Sequence, residues 1–280
     1  MPLELAYQAL ALFGVLGLLV GSFLNVVIYR LPKMIEHQWE AECALAAGRP
    51  APPAQAYNLL VPRSACPHCA AGIAWFDNIP LLSYSLLRGR CRRCKVSIRL
   101  RYPMVELSTA LLFAFCGWRW GLGAAGIAWC AWMAGMLSLA LIDWDSTLLP
   151  DTITLPLLWL GLIGANMHWT GVSLEQALWG AIGGYLSLWS LYWVFKLATG
   201  KEGMGYGDFK LLACLGAWFG WQALLPIILM SSTIGAVVGV VLKLKHGLRE
   251  GDVLPFGPFL VGAGLVCQFA QPLGFTIVLP

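Results

Sequence analysis

The sequence predicts an all-α polytopic membrane protein with about eight transmembrane helices and one cytoplasmic zinc-binding loop domain. Three observations carry that prediction. Only 11% of the residues are charged and 59% are hydrophobic, whereas an ordinary soluble domain carries about 25% charged residues. Apolar runs of roughly 20 residues, enough to cross a ~30 Å hydrocarbon core, recur along the chain. Between the first run and the rest lies one sizeable polar segment, residues 30–104.

The first apolar run, Leu5–Ile28, has no basic region before it and is too long for a signal-peptide core. It ends in "NVVIYRLPK" and is expected to be the first span. The eight spans fall at about 5–29, 105–120, 122–142, 152–168, 174–196, 208–220, 222–242 and 254–277. "GAWFGWQALLP" runs almost continuously between the sixth and seventh, so seven spans is the alternative. Three regions follow: a first transmembrane helix at 1–29, a cytoplasmic segment with four cysteines at 30–104, and a seven-helix membrane domain at 105–280.

Charge gives the orientation. Residues 30–101 hold eleven of the eighteen Lys and Arg, and the loops at Lys196/Lys201 and Lys243/Lys245/Arg249 hold most of the rest. With eight spans all these loops share one side, and the turn at Arg119 is the exception. The positive-inside rule makes that side the cytoplasm, with both termini outside. The net charge of +4 then reflects topology and contact with anionic membrane lipid, not nucleic-acid binding.

Within 30–104, "MIEHQWEAECALAAGRPAPPAQAY" reads as a short amphipathic helix and a Pro/Ala linker. "CPHC" (Cys66, Cys69) and "CRRC" (Cys91, Cys94) follow, with 21 residues between the pairs. Two C-x-x-C turns at this spacing aim four thiolates at one tetrahedral zinc ion. A redox role is the competing reading, but a reducing cytoplasm disfavours disulfides. A four-thiolate site has no open position, which makes the zinc structural. His68 is expected to face outward. Cys116, Cys130, Cys214 and Cys267 fall in spans as packing residues, and Cys43 has no assigned role.

Carboxylates at a membrane boundary need an explanation. Asp143, in "LALIDWDSTLLPDTITL", follows the third span, and Asp208, in "GMGYGDFKLLACLG", precedes the sixth. The topology puts both on the cytoplasmic face. Two carboxylates from different helices that meet there can share a proton, one activating water and the other donating to a scissile carbonyl. Helix-end electrostatics make Asp208 the general base and Asp143 the general acid. Asp145 is expected to be solvated and Asp151 to cap the fourth span. Helix capping is also the competing reading of Asp208, but it leaves Gly203, Gly205 and Gly207 unexplained. Those glycines permit close approach of a substrate backbone. They do not form a dinucleotide loop, since no βαβ context surrounds them.

These motifs resemble the type IV prepilin peptidases, also called prepilin leader peptidase/N-methyltransferases. The resemblance covers nearly the whole chain: "GSFLNVVIYRLP" (21–32), "CPHC…CRRC" (66–94), "RYPMVEL" (101–107), "IDWDSTLLPD" (142–151), "GMGYGDFK" (203–210) and "PFGP" (255–258). It implies leader cleavage from type IV prepilins and type II secretion pseudopilins, at a glycine before the first mature residue, usually Phe. It also implies N-methylation of the new terminus by S-adenosylmethionine. The catalytic pair falls on Asp143 and Asp208, the metal ligands on the four cysteines, and a glycine linked to methyl transfer on Gly89. The resemblance implies a bacterial inner membrane location. No Rossmann-like methyltransferase pattern is visible, so the S-adenosylmethionine site, expected between the zinc-held loop and the membrane, rests on the resemblance.

Lesser expectations complete the reading. Glu36, Glu40 and Glu42 form a solvated face or attract a basic leader. Glu106 pairs with Arg101 or holds the loop. Lys210 snorkels to the interface. Trp118/Trp120 and Trp218/Trp221 anchor span ends. A transporter would carry an inverted repeat, and none is apparent; a zinc-stabilised scaffold without catalysis is the third class. Neither pilin clients nor oligomeric state can be read from the sequence.

Overall fold

The computed structural model describes residues 3–50, 57–246 and 254–270. Outside them lie the Pro/Ala linker at 51–56, the loop cation Arg249 and the end of the last expected span, 271–277. The described residues are helical with two isolated β-bridges, as expected of an all-α membrane protein. The chain divides into two compact units, Met1–Ala134 and Gly135–Pro280.

In the first unit α1 (Leu3–Ala46) is a single 44-residue helix. The expected break between a span and a short amphipathic helix is absent. Pro32 lies inside α1 and is buried, so the helix tolerates its missing N–H. At 1.5 Å per residue α1 is about 66 Å long, roughly twice a hydrocarbon core. Its apolar part packs on α3 (Arg101–Trp120) through small residues. A methyl group on Gly17 would lie 2.7 Å from Cα of Ala110, and one on Gly21 2.7 Å from Cα of Glu106. Helices this close gain dispersion contacts that lipid cannot replace. Arg30, 8% exposed, donates to the carbonyls of Asn58 (2.9 Å) and Pro62 (2.6 Å), tying the loop to α1. Glu106 accepts from the Leu81 amide at 2.9 Å, holding the loop as one of its two expected roles. That contact precedes the short α2 (Leu82–Leu86).

The helix α4 (Ala124–Ser146) starts in the first unit and ends in the second. The second unit continues with α5 (Asp151–Asn166), α6 (Leu174–Thr199), α7 (Tyr206–Phe219), α8 (Leu224–His246) and α9 (Gly257–Ala270). Gly220, at φ +79°, and a 3-10 turn separate α7 from α8, so the almost continuous apolar stretch is two helices. Glu4–Ala46, Ala124–Ser146 and Trp221–Lys245 are long and apolar enough to cross a membrane. α7 has only 14 residues, about 21 Å, and is buried along nearly its whole length. It packs on α6 at glycines: substituents on Gly180 and Gly216 would each strike the other's carbonyl oxygen, and one on Gly184 would lie 2.6 Å from the Leu212 carbonyl oxygen. Trp218, expected at the interface, is instead fully buried and donates to the Leu157 carbonyl at 2.8 Å. A buried indole N–H needs a partner, and α5 supplies it.

Candidate active site and metal cluster

The second unit brings the ends of α4, α7 and α9 together: Leu149 lies against both Gly207, the residue before Asp208, and Gly257, which bonds Asp143. Asp143 lies in the last turn of α4 and is 4% exposed; Asp208 lies in the first turn of α7 and is 7% exposed. The chain folds this way for local reasons. After α4, Thr147 takes φ +53° and its amide bonds the Asp143 carbonyl at 2.8 Å, which turns the chain back. Pro150, in extended backbone, then starts α5. At α7 the N-cap is Gly205, so Asp208 is the third helical residue and not the cap. Its amide donates to the Gly205 carbonyl at 3.3 Å.

The two carboxylates differ in their partners. Oδ2 of Asp143 accepts the Gly257 amide at 2.9 Å. Oδ1 of Asp208 is buried with no hydrogen-bond partner. A buried carboxylate oxygen without a partner is costly, and an orphan of this kind marks a ligand-receiving site. Gly257 has no expected role beyond its place in "PFGP". Pro255 and Pro258 on either side of Gly257 are the local signal of a constrained turn.

The neighbouring acids take other parts. Asp145 is exposed. Asp151 makes no capping hydrogen bond; its two oxygens meet Lys210 Nζ at 2.8 and 2.7 Å. That corrects both the capping expectation for Asp151 and the snorkelling expectation for Lys210: the cation two residues past Asp208 finds a carboxylate on α5. Before α7, Lys196 Nζ bonds Glu202 (2.8 Å) and the Tyr192 hydroxyl (3.0 Å). Tyr192 also packs at a tilt on Tyr206 and edge-on against Phe209, so residues on both sides of the glycine-rich loop are tied to α6. Lys196 holds the Glu202 carboxyl below its ordinary range.

In the first unit the four cysteines converge. Their Sγ atoms all lie within 4.8 Å of one another, with Cys66 and Cys94 at 3.8 Å. Tetrahedral Zn–S bonds of about 2.3 Å require S–S separations of about 3.8 Å, so the cluster fits a metal ion. The two halves repeat one geometry. Ala65 bridges Gly72 and Arg90 bridges Ser97. The Cys66 amide bonds the Ala71 carbonyl, and the Cys91 amide bonds the Val96 carbonyl. Ala70 and Lys95, each four residues past the first cysteine of its pair, share positive φ (54° and 60°). Each turn aims backbone amides at the first sulfur. Cys94 and Arg93 amides lower the Cys91 thiol to about 6, and Cys69 and His68 amides lower Cys66. The Val96 amide opposes the shift at Cys94, but burial and the neighbouring sulfurs push that thiol up to about 11. Bare thiolates this close repel, and a divalent cation relieves that repulsion. His68 is exposed, away from a ligand role, and Cys116, Cys130, Cys214 and Cys267 are buried.

Gly89 lies two residues before Cys91 at φ +66°, and a methyl group there would sit 2.7 Å from the Tyr84 hydroxyl. Its carbonyl accepts from Ile98 at 2.7 Å. The Tyr84 ring closes that face of Gly89 to a side chain. The glycine meets a backbone demand of the metal-binding turn.

Residues 15–120 match the model of the Bacterial Peptidase A24 N-terminal domain, and residues 130–240 match that of the Type IV leader peptidase family. The chain is 55% identical over 252 residues to a prepilin leader peptidase/N-methyltransferase of Pseudomonas aeruginosa, covering 90% of this chain and 87% of that one. The chain belongs to the type IV leader peptidase family. Another member, the prepilin leader peptidase/N-methyltransferase of Stutzerimonas stutzeri, is 54% identical over 253 residues, covering 90% of this chain and 87% of its own. A third, from Burkholderia pseudomallei, is 49% identical over 264 residues, at 93% and 85%. No solved structure matches the chain. Family membership and the apolar helices make this a multi-pass membrane protein of the leader peptidase type.

Proposed function

We propose that this chain is a bifunctional membrane enzyme that cleaves the leader from type IV prepilins and pseudopilins and N-methylates the new terminus. The observation that carries the peptidase half is the pair of buried carboxylates, Asp143 and Asp208, one of which presents an unpartnered oxygen. Hydrolysis needs a base to take a proton from water and an acid to protonate the carbonyl oxygen, then the departing amine. Asp208, with Oδ1 free, is the base that holds the water. Asp143, oriented at Oδ2 by Gly257, is the acid. Burial keeps bulk water from competing at both groups. The basic loops orient the pair to the cytoplasmic face of the bacterial inner membrane, where a short basic leader meets an apolar helix.

Cys66, Cys69, Cys91 and Cys94 hold a structural zinc ion, which stiffens the extramembrane turns. The methyl group comes from S-adenosylmethionine. The part of Gly89 in that half is to keep the turn before Cys91 in its left-handed conformation. Prepilins are the protein partners, and lipid surrounds the spans.

The test uses purified full-length enzyme and a prepilin, with and without S-adenosylmethionine. Asp143→Asn and Asp208→Asn each abolish cleavage; cleavage that survives both substitutions refutes the aspartyl mechanism. A pH–rate profile with a single limb argues against a pair acting as acid and base. Cys66→Ser lowers bound zinc and methylation while cleavage continues; unchanged zinc content removes the four-thiolate assignment.

A further inference from the structure

Leu149 stands in a position that the chemistry above does not use. It belongs to the return segment between α4 and α5, which the Thr147 turn folds back toward Asp143. A methyl group built on Gly207 would lie 2.7 Å from Leu149 Cβ and 3.1 Å from its Cδ1. One built on Gly257 would lie 3.3 Å from Cδ2, and 2.7 Å from Asp143 Oδ2. The two terminal methyls of Leu149 therefore face two glycines. Gly207 immediately precedes Asp208, and Gly257 is the residue that orients Asp143. Leu149 itself is only half-buried, so it is not a core residue sealed behind the site.

The consequence is steric. Leu149 thus touches the residue before Asp208 and the residue that orients Asp143, so it borders the place where a carbonyl attacked by this pair would sit. The facing walls are glycine already, so they have no side chain left to withdraw. Leu149 is a bulky group in contact with both glycines at this junction of α7 and α9. We propose that Leu149 is a specificity-determining residue, setting the maximum size of the substrate residue that contributes the attacked carbonyl. A residue with no side chain fits beside it; each added carbon meets the isobutyl group. This rests on the peptidase reading of Asp143 and Asp208.

The test measures a ratio and not an activity alone. Full-length wild type, Leu149→Ala and Leu149→Phe are assayed on prepilins with Gly, Ala or Val before the scissile bond. One methylene in an apolar pocket discriminates by about 10–200-fold. Wild type should prefer Gly over Ala within that range. Leu149→Ala should shrink the Gly/Ala kcat/KM ratio about tenfold or more, and Leu149→Phe should enlarge it. Wild-type ratios in both variants overturn the proposal and make Leu149 a packing residue. If Leu149→Ala does not fold, Leu149→Phe decides: an unchanged ratio is refutation and an enlarged one is support. Asp143→Asn and Asp208→Asn are run alongside on the Gly prepilin. Cleavage by both variants removes the peptidase reading and this inference with it, an outcome distinct from an unchanged ratio.

Discussion

The amide of Gly257 donates a 2.9 Å hydrogen bond to Oδ2 of Asp143, across 114 positions of sequence. That bond fixes one carboxylate oxygen and forbids a side chain at the donor, since a methyl there would lie 2.7 Å from the same oxygen. Gly257→Ala should therefore move Asp143. A displacement of about 1 Å at a reacting group costs about 10²-fold in rate. We expect kcat for cleavage to fall by about that factor, with methylation of a pre-cleaved pilin retained. Parallel single-turnover assays of the two reactions check it.

Asp151 and Lys210 join α5 to α7 through a partly exposed ion pair, their side chains 50% and 30% exposed. Such pairs contribute about 0.2–1 kcal/mol. Lys210→Ala or Asp151→Ala should lower stability within that range. The doubly exchanged Asp151→Lys/Lys210→Asp variant should recover part of it. Thermal denaturation in detergent at low and high salt reads this, and the effect should shrink as salt rises.

Gly89→Ala combines a strained left-handed φ with a methyl 2.7 Å from the Tyr84 hydroxyl. We expect the turn before Cys91 to distort, with methylation lost and cleavage kept. Adding Tyr84→Ala removes the collision but not the φ penalty, which is about 1 kcal/mol. The double variant should recover methylation only in part, as measured by transfer of labelled methyl to a pilin N-terminus.

The Asp77–Arg92 pair supplies a pH signature outside the membrane. Arg92 bonds both oxygens of Asp77 and holds its carboxyl below the ordinary value of 3.8. A depressed folded pKa means the contribution is complete above the unfolded value and is lost as pH falls through the folded one. Stability from this pair should be flat from neutral pH to about 5 and decline below about 4. Asp77→Asn should remove that part of the decline, read as the melting midpoint against pH.

Much of the functional machinery was legible along the chain because it is written in local signals. The C-x-x-C pairs are turns that need only their own backbone to aim two sulfurs, and the cluster found at 66–94 follows from that. Asp143 and Asp208 were exposed as candidates by cost alone, since a carboxylate beside an apolar run demands a reason. The all-helical class followed from the recurring apolar runs. Short-range geometry was less legible. The uninterrupted α1 was hidden because the apolar run ends at Arg30, while the backbone stays helical through Pro32 to Ala46.

The amino-acid sequence by itself determined the all-helical membrane class, the metal-binding turns and which two acids to suspect, because each depends on composition or on neighbours a few residues apart. The tertiary structure decided what those residues touch. It gave Asp151 to Lys210, Trp218 to the Leu157 carbonyl, Gly257 to Asp143, and Leu149 to Gly207 and Gly257. These partners are separated by up to 114 positions, and no local preference encodes which helix a side chain will meet. Only close packing of helices, made possible by glycines that allow backbones to approach, selects one partner from many.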